Sequence, residues 1–228
     1  MLAASLLTPL QLVLGAVLFS VAALWSLARV SWIELLADDR RQHLFYGSIF
    51  VLFVLWLVRR DFDNGITLHF LGLTAVTLLL NWPLAIVAGS LAQLALVLLG
   101  LDDAEAFGVN GILRVLIPVL VTLVISRSLE RMKPRNLFTY IFISGFFAAA
   151  MAVVATVLGG MGLLAWSGQL AMSASMTDTF GYLLLVAFPE AFINGTAISA
   201  LVVFCPDWLD TFDTDRYLQE PFDKDGRS

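Results

Sequence analysis

Residues 67 to 100 run for 34 positions without one Asp, Glu, Lys or Arg. As a single helix rising 1.5 Å per residue, such a run would measure about 50 Å, well beyond the ~30 Å hydrocarbon core of a bilayer. Asn81-Trp82-Pro83 interrupts it, and a residue before proline is pushed out of helical geometry. The run therefore reads as two helices joined by a turn. Residues 8–28, 43–58, 111–126, 137–158 and 180–204 are each apolar enough for one further crossing. The expectation is an all-α integral membrane protein, a bundle of about seven transmembrane helices.

Composition excludes most other classes. With 60% hydrophobic and 14% charged residues and a mean hydropathy of +0.89, a chain of 228 residues carries more apolar surface than a soluble core can hide. Its first partner is the lipid bilayer, and a multi-pass location in the cell inner (plasma) membrane is expected. A net charge of -5 and no basic stripe argue against a nucleic-acid partner. Cys205 is the one cysteine, which removes an internal disulfide and a cysteine metal cluster.

Basic residues in short loops mark the cytoplasmic side. The loop 127–136 holds Arg127, Arg131, Lys133 and Arg135; placing it inside gives an N-terminus out and a C-terminus in, with Arg59 and Arg60 as the exception. Residues 1–205 form the transmembrane domain in this reading. Residues 206–228 form an acidic cytoplasmic tail, expected to be solvated.

Polar side chains inside hydrocarbon are costly and face protein or a cavity. Those in the apolar segments are His69, Asn81, Gln93, Asn110, Arg114, Glu190 and Asn194. His69 opens a span near the outer face, either as a metal or substrate ligand or as an interfacial histidine bonded to a backbone carbonyl. Arg114 reads as a side chain snorkelling to the headgroups. Glu190 follows Pro189 and has Asn194 one turn on, so it is protonated, paired or bonding helices together. There is no GxSxG, HExxH or P-loop, and no nucleophile with an adjacent base. His43 and His69 fall at opposite faces, too far apart to share a metal. No enzyme activity and no permanently bound cofactor are expected.

HFLGLTAVTLLLNWPLAIVAGSLAQLALVLLG (69–100), FGVNGILRVLIPV (107–119) and FPEAFINGTAISALVVFCPDWL (188–209) occur in an order that resembles the CbiM/NikM family. These are the substrate-binding membrane components of energy-coupling-factor type cobalt and nickel importers. The matching positions are His69, the 81–83 turn, Gln93, Gly108 with Asn110, and PEAFINGT followed by CPDWL. The resemblance implies a divalent transition metal as substrate and separate ATPase and transmembrane coupling subunits as partners. It implies His69 as the metal ligand, with Gln93, Asn110, Glu190 and Asn194 bounding the substrate pocket. The family's mature chains begin Met-His and use that second imidazole on the metal, whereas this chain begins Met1, Leu2, Ala3. The alternative reading is a non-transport membrane scaffold or assembly factor that keeps the fold without the metal site.

Overall fold

A computed structural model describes residues 1–61, 65–132, 136–169 and 175–218. The chain runs through α1 (Pro9–Arg29), α2 (Trp32–Ala37), α3 (Asp39–Leu57), a hairpin of β1 (Arg59–Asp61) and β2 (Thr67–His69), and α4 (Leu73–Leu98). It continues through α5 (Phe107–Met132), α6 (Leu137–Trp166) and α7 (Ser175–Phe204) to the short α8 (Thr214–Leu218). Five of the described helices are long and apolar enough to cross a membrane: α1, α4, α5, α6 and the Leu185–Phe204 part of α7. α3 falls short because Arg40, Arg41, Gln42 and His43 occupy its start. α4 is bent into two limbs, so the expected seven rods are present as helices.

α1 begins with a capping box: Gln11 N–H donates to Thr8 Oγ1, Thr8 N–H donates to Gln11 Oε1, and Pro9 opens the first turn. Gln11 Nε2 then reaches the Leu163 carbonyl at 2.8 Å, tying α1 to α6. Leu10, Val13, Val17, Val21 and Leu24 on α1 are exposed, as suits a helix with one face toward lipid. The opposite face meets the start of α5 backbone to backbone. A Cβ on Gly108 would come within 2.4 Å of the Ala16 backbone, so only glycine permits this approach.

The bend in α4 follows from the Asn-Trp-Pro turn. Asn81 has φ 65° and ψ 166°, a region that is almost exclusively glycine's and costs other residues of order 1–3 kcal/mol. Asn81 Oδ1 accepts from Trp82 N–H at 2.8 Å, and Pro83 has no N–H to give. The Leu78 and Leu79 carbonyls consequently lack helical donors. The segment after α7 supplies them: Asp210 N–H donates to Leu79 O at 3.2 Å, while Thr211 donates through its N–H at 3.3 Å and its hydroxyl at 2.9 Å to Leu78 O. Leu209, Phe212 and Tyr217 bury against Tyr140 and Ile198, and Asp210 pairs with Arg41. The described part of the expected solvated tail, through residue 218, is thus packed onto the bundle, because its backbone donors and aromatic side chains meet a bend that needs both.

Asn81→Ala should lower stability by about 1 kcal/mol through loss of the hydrogen bond to Trp82 N–H, while Asn81→Gly loses the same bond but relieves the backbone strain that Asn81 carries and should be the more stable of the two variants. Thermal unfolding of the purified protein in detergent checks the ranking.

Candidate functional site

The polar residues gather at the end of the bundle opposite the 205–218 segment, where the N-terminus is drawn in as an extended strand. Leu2 bridges Ile66 in antiparallel fashion, Thr67 N–H donates to Met1 O at 2.8 Å, and Ala3 N–H donates to Gly65 O at 2.9 Å. The Met1 amine donates to the Thr67 carbonyl. Asn110 grips the same strand from α5: its Oδ1 accepts from Leu2 N–H and its Nδ2 donates to Leu2 O, both at 3.0 Å. Asp103 accepts from Ala4 N–H at 2.8 Å.

Beneath the strand lies a buried charged cluster. α5 widens into a π-helical turn over Ile112–Leu116, a local expansion often found at functional sites. Thr156 satisfies its Leu113 carbonyl at 3.0 Å. The turn carries Arg114, which is 0% exposed. Its Nη1 donates to Asp102 at 2.5 Å, its Nε donates to His69 Nε2 at 3.1 Å, and its guanidinium carbon lies 4.9 Å from the Trp56 ring centroid. Arg59, paired with Asp61, donates to the other Asp102 oxygen at 3.1 Å. A buried guanidinium is tolerated when it is paired and hydrogen-bonded, and the aromatic face adds to that. The expectation that Arg114 snorkels to the headgroups is overturned, because Asp102, His69 and Trp56 give it partners inside.

His69 has both ring nitrogens engaged. Nδ1 lies 2.6 Å from the Phe70 carbonyl and Nε2 accepts from Arg114, which requires the neutral Nδ1–H tautomer. Burial, then the Arg114 charge, hold its pKa well below 6.5. The same causes, in the same order, lower the Met1 amine from 8.0 to about 5. Two neutral nitrogen donors are thereby held at this end of the bundle.

The third layer explains Glu190 and Asn194. α4 begins inside the bundle at Gly72, in a left-handed turn with φ 71°, and its first N–H groups have no helical acceptors. Glu190 accepts from Leu71 N–H at 2.7 Å and Gly72 N–H at 2.6 Å, while Asn194 Oδ1 accepts from Ala75 N–H at 2.9 Å. Asn194 Nδ2 returns to the Glu190 carboxylate at 2.8 Å. The pair fixes the segment that carries His69.

Gln93 donates to the Phe107 carbonyl at 2.7 Å and positions the start of α5, while its Oε1 has no hydrogen-bond partner among the described residues. All five sequence-derived residues, His69, Gln93, Asn110, Glu190 and Asn194, are buried. They bond to separate backbone segments instead of forming one open ring: Asn110 to the N-terminal strand, Gln93 to the start of α5, and Glu190 with Asn194 to the start of α4. Asp102, Arg59 and Trp56 belong to the cluster and were not singled out by sequence; each lies in a stretch where a charged or aromatic residue is unremarkable. Among the described residues no group of three or more His, Cys, Asp or Glu could hold a metal ion.

Because the amine and imidazole are buried neutral, the unfolded chain takes up protons first as pH falls. The docked strand is therefore strongest above about pH 8 and weakens toward about pH 5. The amine's fall from 8.0 to about 5 corresponds to roughly 4 kcal/mol. Amide exchange at Leu2 and Ala3, corrected for intrinsic rate, should accelerate over that interval, and Asn110→Ala should accelerate it at every pH.

The architecture has known counterparts. The backbone matches the crystal structure of a truncated transition metal transporter with a TM-score of 0.73 and 17% identity over 89% of this chain and 98% of the other. A second transition metal transporter structure gives 0.70 and 19% over 89% and 92%. These similarities establish a shared fold. No curated protein matches the sequence. The family model described as the cobalt uptake substrate-specific transmembrane region matches residues 2–208. With nearly the whole chain matched and the transporter fold in place, this protein belongs to the CbiM family of cobalt uptake substrate-specific transmembrane regions.

Proposed function

We propose that this chain is the substrate-binding membrane (permease) component of an energy-coupling-factor type importer, working with separate ATPase and transmembrane coupling subunits. Its cargo in this reading is a transition-metal ion such as cobalt or nickel, captured at the N-terminal end. The observation that carries the proposal is the inserted N-terminal strand, which brings the neutral Met1 amine to the end of the bundle that holds the neutral His69 imidazole. Unprotonated nitrogen donors suit divalent ions of this class. His69 is the direct ligand, Asn110 holds the strand, Gln93 sets the start of α5, and Glu190 with Asn194 supports the His69 segment from below. The N-terminal end faces the exterior and residues 206–218 face the cytoplasm, the orientation supported by the basic residues Arg127 and Arg131.

A second reading has a specific observation behind it. Leu2 offers no imidazole, and His69 Nε2 is spent on Arg114, which favours a scaffold or assembly factor that keeps the fold without the metal. Affinity purification from the native membrane separates the two: ATPase and coupling subunits are expected, and a stable complex lacking them would favour the scaffold. In parallel, deletion of the chain and His69→Ala should each abolish the metal accumulation it supports, read by elemental analysis of cells. Unchanged accumulation on deletion would remove the transport claim.

A further inference from the structure

His69 Nε2 is the nitrogen through which the imidazole could bind a cargo ion, since Nδ1 is committed to the Phe70 carbonyl. Arg114 already occupies it. The guanidinium is a permanent cation, is completely buried, and is anchored on two further sides by Asp102 and the Trp56 ring. Asp102 also binds Arg59, so each oxygen of that carboxylate already accepts from a guanidinium. Arg114 Nη2 is buried and makes no hydrogen bond among the described residues.

We propose that Arg114 is a specificity-determining residue: a resident cation that competes with a divalent metal ion for His69 and keeps the site's intrinsic affinity for the bare ion low. The inference rests on the reading of the cargo as a divalent metal, but it concerns binding to the isolated protein and not transport. Two features of the guanidinium act together. Its Nε–H uses the lone pair that a metal would need. Its charge, in a water-poor setting where electrostatic effects are strong, repels any ion brought near the imidazole. A metal binds only when the Nε–H contact to His69 is broken, and Nη2, buried without a hydrogen bond, is a part of the guanidinium whose displacement breaks none.

The test is titration of the purified full chain in detergent with Ni(II) and with Co(II) added alone, followed by calorimetry and elemental analysis after desalting. Arg114→Gln should bind at least about tenfold more tightly than the parent, and the gain should vanish in Arg114→Gln combined with His69→Ala. Arg114→Lys, which keeps the charge, should stay weak. Equal affinity in the parent and Arg114→Gln overturns the proposal, and so does binding to neither, because the donor set and not the guanidinium would then exclude metal. Should Arg114→Gln fail to fold, nitrogen NMR of imidazole-labelled parent protein decides. Under the proposal the His69 Nε2 resonance stays in place on adding Ni(II) at protein-stoichiometric concentration; a shift or loss of that resonance overturns it. Cellular uptake and subunit co-purification are read separately, so failure of the importer reading remains distinguishable from failure of this one.

Discussion

A helix that starts inside a packed bundle presents N–H groups with no water to receive them, and the answer given at Gly72 organises this molecule. Glu190 and Asn194 reach from α7 and accept the Leu71, Gly72 and Ala75 amides. The first limb of α4 can therefore begin at depth. The preceding residues then form a strand that ends at His69, beside α5. The hairpin, the docked N-terminus and the Arg114 cluster all take their positions from that starting point.

The bundle itself was largely legible in the sequence. Charge-free length set the number of rods, and Pro83 located the turn, because proline removes a donor whatever surrounds it. His69, Gln93, Asn110, Glu190 and Asn194 were recognisable because polar groups in lipid must find partners, and each has one. Which partner each finds was not legible. Arg114 reads as a snorkelling side chain until Asp102, twelve positions earlier, is seen to fold over it; their pairing depends on how the 99–106 loop returns to α5. The β-hairpin was missed although Gly65, in a left-handed turn with φ 78°, follows Asn64 in the pattern typical of such turns. Three-residue strands carry too little periodicity to register beside long apolar helices.

The charge balance of the site follows from the same economy. Arg59 and Arg114 share the Asp102 carboxylate, and Asp61 pairs with Arg59 at the exposed edge, so the four groups sum to zero. The neighbouring amine and imidazole are held toward the neutral form by burial first and by the Arg114 charge second. Permanent cations and titratable nitrogens occupy one small volume without net repulsion, and this is what lets the N-terminal strand close over the cluster.

The bent α4 also gives the molecule a bell-crank. Its apex at Asn81 is clasped by Asp210 and Thr211, its first limb leads to the His69 segment, and its second limb leads to Gln93. From apex to Gly72 is eight residues of rigid helix, about 12 Å. A displacement of residues 209–212 would move one arm of this crank, and the motion would emerge at the His69 segment without any helix having to unwind.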